Sequence, residues 1–233
     1  MRGKYSPGVW ISLADCTEQN REAEFNKWYN QTLIPNLESL GFMRNTTRFE
    51  NVFSHTPTFM GRPKYLTVSE VYREDLMQAL KEIRQKQAEL ASQGKGFEHR
   101  VEMMDTLFGR VGPEIRTERA GRPVRGIYVV VCYPTDPARE EEFNDWYNQK
   151  HGPEALALGF YDIAYRYKIV EPNDQIPYHF SYLTLYETSI DPLEARQKLV
   201  SFRPKWVADP QWVDLLGGGW TGGFRQIYPP LGA

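Results

Sequence analysis

The side chains best suited to chemistry in this chain lie in one short segment, EFNDWYNQKHGPE, at positions 142–154. It contains His151, and an imidazole with an ordinary pKa of about 6.5 can donate or accept a proton at neutral pH. Tyr147 lies four residues before His151, so the phenol and the imidazole share one face of a helix. Asn148 adds an amide that can orient the imidazole or polarise a substrate oxygen. The segment therefore predicts a general acid–base site at His151, assisted by Tyr147 or Asn148.

The same phrase occurs earlier as EFNKWYNQTLIPN, where Leu33 replaces His151. Between residues 21–42 and 139–160, 13 of 22 positions are identical, and VWISLA and YLTVSE recur later as IYVVVC and YLTLYE. The chain is therefore a tandem duplication. Because Leu33 shows that the fold does not require an imidazole there, we expect one active site, in the second copy, and a degenerate first site. A lone helical histidine is also a common structural residue, and that alternative stays open.

The duplication divides the chain into a first unit, 1–115, and a second unit, 123–233, joined by a charged segment containing Gly and Pro. Each copy is predicted to run strand, helix, strand, strand, helix, strand, which is the ferredoxin-like β-α-β-β-α-β order. In the second copy, Asp136 and Pro137 are helix start signals. Such a unit leaves one sheet face bare, and two units can cover each other. The predicted fold class is α+β, with two tandem ferredoxin-like units forming an intramolecular barrel.

Two features predict irregular backbone near the site. Pro153 lacks an N–H and restricts Gly152, so we expect the helix to break or kink around 150–152. Further on, residues 217–219 are a triple glycine without the Lys-Ser/Thr of a phosphate loop. We expect a mobile lid or a tight aromatic turn there. The tryptophans expected to shape the cavity are Trp206, Trp212 and Trp220.

Further candidates for substrate binding are aromatic or polar side chains of the second copy: Trp146, His179, Tyr182, Arg166 and Trp220. Trp146 is also a core residue by its helical spacing. His179 is either a second acid–base group or a surface histidine at a strand end. Arg166 matches Arg48 of the first copy. Its alternatives are a carboxylate anchor for substrate and a structural ion pair with Glu187, and its presence in both copies favours the structural role.

The segment 142–154, with an F-N-x-W-Y face that ends in H-x-P-E, resembles the dimeric α+β barrel superfamily and is most similar to its EthD-type branch. The resemblance in architecture covers the whole chain, whereas the motif covers this segment and, more weakly, its first copy, which departs from it at TLIPN. The resemblance implies a small-molecule site in members that include cofactor-free isomerases, cyclases and lyases acting on aromatic or polyketide-like compounds. Other members are cofactor-free monooxygenases, haem enzymes or proteins without known activity.

The composition excludes several classes of partner. The net charge of -2 gives no electrostatic reason to expect nucleic acid or an anionic membrane. We find no signal-peptide pattern and no apolar run of membrane-spanning length, so we expect a cytoplasmic protein. Cys16 and Cys132 lack redox or zinc spacing, which argues against a dedicated metal site. Aromatic residues make up 14% of the chain, consistent with a pocket for a small aromatic substrate. The expected assembly is a monomeric pseudo-dimer or a homodimer.

Together these observations predict a cofactor-independent lyase or isomerase. His151 would catalyse an elimination, isomerisation or cyclisation of a small aromatic or polyketide-like compound by proton transfer. One alternative is a haem-dependent or cofactor-free oxidoreductase, such as a monooxygenase, on the same fold; haem stays open because one axial histidine suffices. The other alternative is a non-catalytic small-molecule-binding protein.

Overall fold

Two β-α-β-β-α-β units follow one another along the chain. The structure, a computed structural model, describes residues 6–52, 63–172 and 180–231. The strands are β1 (Gly8–Cys16), β2 (Met43–Asn51), β3 (Tyr65–Val71), β4 (Arg100–Arg110), β5 (Ile115–Arg116), β6 (Gly126–Pro134), β7 (Ile163–Ile169), β8 (Tyr182–Thr188) and β9 (Leu216–Tyr228). The helices are α1 (Glu22–Trp28), α2 (Ile34–Glu38), α3 (Leu76–Ser92), α4 (Glu140–Trp146), α5 (Gly152–Ala157), α6 (Pro192–Val207) and α7 (Pro210–Leu215).

One antiparallel sheet contains the strands of both units, in the order β4-β1-β3-β2-β9-β6-β8-β7-β5. The last strand of each unit crosses to the other unit: β9 pairs with β2, where Phe49 faces Gln226. In the same way β4 pairs with β7, where Phe108 faces Ile169. These two exchanges close eight strands into a barrel, and β5 of the linker adds a short pairing on β7. The predicted fold class is confirmed.

Alternation along the strands divides apolar side chains between the barrel interior and the helices outside. Ile11 and Val129 belong to the buried interior cluster, which both units share. Their neighbours Trp10 and Tyr128 belong to separate clusters beneath the helices of each unit. The interior is therefore a common apolar core, and the helix-facing sides are where the two units can differ.

Both copies of the repeated segment contain a π-helical turn, Tyr29–Leu33 between α1 and α2 and Tyr147–His151 between α4 and α5. The N–H of Gly152 donates to the carbonyl of Tyr147, five residues back. Of the two alternatives predicted around 150–152, the break is wrong, because the helix widens and continues, and the kink stays a prediction. A wider turn accommodates a following proline, which lacks the N–H for a regular bond. Since both copies have that proline, the turn does not depend on His151.

Aspartates cap four of the described helical segments, and Asp209 at the start of α7 is one of them. Oδ1 of Asp136 accepts from the N–H of Ala138 at 2.9 Å, as predicted for that helix start. Asp75 caps α3 and Asp191 caps α6, each through a side-chain oxygen that accepts a backbone N–H. The second helices of the two units can therefore be aligned from their capping residues. Within the described ranges, no helix is long and apolar enough to cross a membrane.

The triple glycine of residues 217–219 is part of β9: Gly217 faces Tyr133 of β6, and the other two lie at a register shift before the pair Val131–Trp220. The predicted lid or tight turn is wrong. A Cβ at Gly219 would collide with the carbonyl oxygen of Val131, and a Cβ at Gly217 would collide with the ring of Tyr133. These glycines are therefore required by the close approach of two paired strands, which sequence spacing alone does not reveal.

Candidate active site

A cavity of about 370 Å³ lies in the second unit, between the helix-facing side of the sheet and helices α6 and α7. The sheet contributes Tyr128, Val130 and Cys132 from β6 and Tyr186 from β8. The helices contribute Leu199, Trp206 and Trp212. The volume falls within the usual range of small-molecule sites, about 300–1,000 Å³, and the lining is rich in aromatic side chains.

His151 lies in the wall of this cavity and is 5% exposed. Its ring stacks on Trp146, with centroids 5.0 Å apart and 8° between the planes. Trp212, Tyr147 and Trp206 meet the imidazole in edge contacts at 4.7, 4.9 and 5.2 Å. Aromatic rings therefore hold the imidazole in one orientation.

The imidazole of His151 is neutral and free to bind a ligand. Among the described residues, neither ring nitrogen has a hydrogen-bond partner in the protein. Burial lowers the pKa of His151 to about 3, and the positive charge of Arg166 lowers it in the same direction. The ordinary value of about 6.5 expected from sequence is thus not the value in this site. One ring nitrogen can donate a hydrogen bond and the other can accept one.

Tyr147 also lines the cavity. Its hydroxyl lies 3.1 Å from the hydroxyl of Tyr186, which comes from β8. Burial raises the pKa of Tyr147 to about 12, so the phenol stays protonated at neutral pH. The guanidinium of Arg166 lies 4.0 Å from the centre of the Tyr147 ring, on the side of the protein core. The two hydroxyls therefore form a neutral polar pair in the cavity lining.

Asn148 lies outside the cavity lining. Its Oδ1 accepts from Nη1 of Arg166 at 2.8 Å, and Oδ1 of Asn144 accepts from Nη2 at 3.0 Å. Asparagines therefore hold this guanidinium, and the ion pair expected with Glu187 is wrong for the described residues. Arg48 of the first unit is bound in the same way by two asparagines. Both units have this arrangement. In the second unit, the amide of Asn148 therefore binds Arg166 and not the imidazole of His151.

The other residues named from sequence are dispersed. Trp146 stacks behind the imidazole and does not line the cavity. The hydroxyl of Tyr182 donates to Oε1 of Glu140 at 2.8 Å, also away from the cavity. Trp220 borders the cavity, but its indole belongs to the barrel interior. His179 lies outside the described residues.

The lining residues that sequence reasoning missed include Tyr161, Tyr186, Arg196 and Arg203. The Tyr161 hydroxyl is buried and has no hydrogen-bond partner among the described residues. Arg196 and Arg203 are the charged residues of the lining, which contains no Asp or Glu among the described residues. They are seven apart in the sequence, so they share a face of α6. That spacing was the available signal for a positively charged cavity.

Comparisons with known proteins agree with the fold and leave the chemistry open. No protein-family profile matches the chain. Core atranone cluster (CAC) protein 1 of Stachybotrys chlorohalonatus (strain IBT 40285) is 38% identical over 56 residues, which is 24% of each chain. The matched part thus spans about a quarter of that relative.

Solved structures match over nearly the whole chain. An anthrone oxidase-like protein matches with a TM-score of 0.60 and 11% identity, over 97% of this chain and 93% of its own. A DypB variant of Rhodococcus jostii RHA1 in complex with heme matches with a TM-score of 0.60 and 8% identity, over 96% of this chain and 94% of its own. The encapsulated DyP-type peroxidase of Mycobacterium smegmatis matches with a TM-score of 0.59 and 11% identity, over 98% of this chain and 96% of its own. These proteins share the dimeric α+β barrel fold with this chain, and at such low identity the likeness is one of fold alone.

Proposed function

We propose that this chain is a cofactor-independent enzyme that uses His151 to transfer a proton on a small aromatic or polyketide-like compound. The supporting observation is a neutral imidazole that lines an aromatic cavity and makes no hydrogen bond to the described protein. A structural histidine in a core is normally hydrogen-bonded, because an unpaired buried polar group costs free energy. The reaction class is lyase or isomerase, and the repeated segment favours the EthD-type branch.

The surroundings of His151 determine which proton transfers are feasible. The low pKa disfavours the imidazolium, so the ring is a weak base in the empty cavity. It can accept a proton from a carbon atom only where that C–H is acidic, as it is when the carbon lies between an aromatic ring and a carbonyl group. A short-lived imidazolium then returns the proton to another atom, which gives isomerisation or elimination. The Tyr147 and Tyr186 hydroxyls can donate to the substrate oxygen that gains negative charge.

Haem does not fit this histidine. A metal-bound imidazole almost always donates its second N–H to a carboxylate, carbonyl or water. Among the described residues His151 has no such acceptor, and the indole of Trp146 covers one face of its ring. We therefore derive no step through haem, although one structural neighbour is described in complex with heme.

The test uses anthrone, an aromatic ketone with an acidic methylene, as the probe. Anthrone is incubated in D2O under argon with the wild-type protein, and deuterium entry at the methylene is followed by NMR. We expect exchange above the buffer rate with the wild type and loss of that excess in His151→Leu. Leucine is the matched substitution, because Leu33 occupies the equivalent buried position in the first unit.

Three outcomes discriminate among the candidate functions. Equal exchange by the wild type and His151→Leu would remove His151 from the mechanism. Absence of exchange with anthrone and with a panel of phenolic ketones would favour a binding protein. Oxygen consumption in air, measured with an electrode and dependent on His151, would move the reaction from lyase or isomerase to cofactor-free oxygenation.

A further inference from the structure

The first unit holds a partly buried carboxylate, that of Asp105, beneath its helices, on the same side of the sheet as the second unit's cavity. Oδ1 of Asp105 accepts from Nε1 of Trp10 at 2.6 Å, and Oδ2 accepts from Nε2 of Gln87 at 2.6 Å. Arg100 lies 3.3 Å from the same oxygen. Asp105 is thus a carboxylate held by an indole, an amide and a guanidinium.

Strand pairing identifies the equivalent position in the second unit. Asp105 lies opposite Ser12, and Thr221 lies opposite Val130. Ser12 and Val130 are the same position of the repeat, the fourth residue of VWISLA and of IYVVVC. Thr221 therefore occupies in the second unit the position that Asp105 occupies in the first.

The helices align in the same way. Gln87 and Arg203 each lie twelve residues after the aspartate that caps their helix. Where the first unit places an amide that donates to Asp105, the second unit places a guanidinium. Arg203 has no hydrogen bond or ion pair within the described ranges, so its positive charge is not neutralised by a local carboxylate.

The strand β9 also lacks the side chains that, in the first unit, fill the space around Asp105. By the same alignment Leu216 replaces Arg100 and Gly217 replaces Val101, and Gly218 follows in the register shift, where the first unit has Glu102 next in sequence. A Cβ at Gly218 would meet nothing within 4 Å, so the strand is open there, and Gly218 lines the cavity. The second unit has lost its internal carboxylate and kept the space for one.

We propose that the cavity binds an aromatic compound bearing a carboxylate, and that Arg203 binds this carboxylate where the first unit holds its own Asp105. This inference rests on the cavity of the proposed function and names its substrate class. A guanidinium suits the task because it offers planar, charge-assisted donors to two oxygens. The buried Tyr161 hydroxyl, also in the lining and unpartnered among the described residues, is a further donor toward the ligand.

The test compares two probes of the same shape, 1-naphthoate and the neutral 1-naphthamide, by isothermal titration calorimetry. The wild type should bind 1-naphthoate about tenfold or more tightly than 1-naphthamide, since a charged hydrogen bond is worth about one order of magnitude. Arg203→Gln introduces the residue found at the equivalent position of the first unit, Gln87. This variant should bring the ratio of the two affinities close to one, because it weakens the binding of 1-naphthoate and leaves that of 1-naphthamide unchanged. Thr221→Asp should abolish naphthoate binding, because it restores a carboxylate to the cavity.

The control is Lys198→Gln on the same helix. Lys198 is exposed, pairs with Glu194 and does not line the cavity, so both affinities should stay unchanged. Equal wild-type affinities, or a ratio that survives Arg203→Gln, would overturn the carboxylate site while leaving the cavity as a binding site. Failure of the wild type to bind either probe would count against the carboxylate site and the cavity together. Loss of proton exchange in His151→Leu with intact naphthoate binding would support the proposed function and this inference separately.

Discussion

The imidazole of His151 lies parallel to the indole of Trp146, with ring centroids 5.0 Å apart. The equivalent pair in the first unit is Leu33 and Trp28, and Leu33 is a buried member of a packed apolar cluster. The same local backbone thus holds an imidazole in one unit and an aliphatic side chain in the other. The stacking removes water from the imidazole without supplying a counter-charge, and this explains its low pKa.

The first prediction concerns acid stability. The pKa of His151 is about 3 in the folded protein and about 6.5 in the unfolded chain. Between these values the unfolded chain binds more protons, so folding free energy is lost as the pH falls. The contribution is fully present above pH of about 6.5 and declines by at most about 1.4 kcal/mol per pH unit below it. His151→Leu should therefore lose less stability than the wild type between pH 7 and 4, measured by urea unfolding.

A wild type and a His151→Leu variant with parallel pH profiles would show that the imidazole titrates normally. Direct titration of the ring by NMR provides the independent check, since it should remain neutral throughout this range. Addition of an anionic ligand should raise the pKa of His151, because a nearby negative charge stabilises the imidazolium.

The second prediction concerns the two buried guanidiniums. Arg166→Gln and Arg48→Gln should each destabilise the fold by about 2–3 kcal/mol, because both leave asparagine oxygens without their charged donor. Only Arg166→Gln should also raise the pKa of His151, since Arg166 is the charge that lowers it. Urea unfolding measures the first effect and NMR titration the second. A change in the pKa of His151 in Arg48→Gln would contradict the assignment of Arg166 as the charge that lowers this pKa.

The sequence was sufficient for the architecture because a repeat carries its own alignment. Matching EFNDWYNQ with its first copy predicted two units that cover each other, and the barrel confirms it. The same comparison singled out His151, which the structure places in a cavity wall. Asp136 was identified as a helix start from local chemistry alone. Each of these features depends on residues close together in the chain.

The failed expectations depend on contacts between distant segments. The triple glycine is expected to form a lid or a tight aromatic turn, although the carbonyl of Val131 on the neighbouring strand is what excludes a side chain at Gly219. Asn148 is expected, as an alternative to Tyr147, to orient the imidazole or polarise a substrate oxygen, but its amide oxygen binds Arg166 from β7. The spacing of Arg196 and Arg203 indicates that they share a face of α6, but only the packing of α6 over β9 places those two charges at a cavity. Tertiary proximity decides all three, and local spacing does not encode it.

The third prediction uses two adjacent glycines as a matched pair. Gly219→Ala should lower the melting temperature sharply, because its Cβ would collide with backbone of the paired strand and overpacking costs about 1–3 kcal/mol or more. Gly218→Ala should stay within about 0.5 kcal/mol of the wild type, because its Cβ would enter open space. Thermal unfolding followed by circular dichroism measures both. Equal melting temperatures would mean that β9 does not follow this course.

The fourth prediction concerns the hydroxyls that line the cavity. The Tyr161 hydroxyl is buried and unpartnered among the described residues, so Tyr161→Phe should leave the free energy of unfolding unchanged or raise it by up to about 1 kcal/mol. Tyr147→Phe should instead cost about 1 kcal/mol, because it leaves the Tyr186 hydroxyl without its hydrogen-bond partner 3.1 Å away. Urea unfolding at pH 7 compares the two variants. A Tyr161→Phe variant less stable than Tyr147→Phe would show that the Tyr161 hydroxyl supports the fold. A neutral or stabilising result leaves ligand binding as the role of a polar group that the protein buries without a partner.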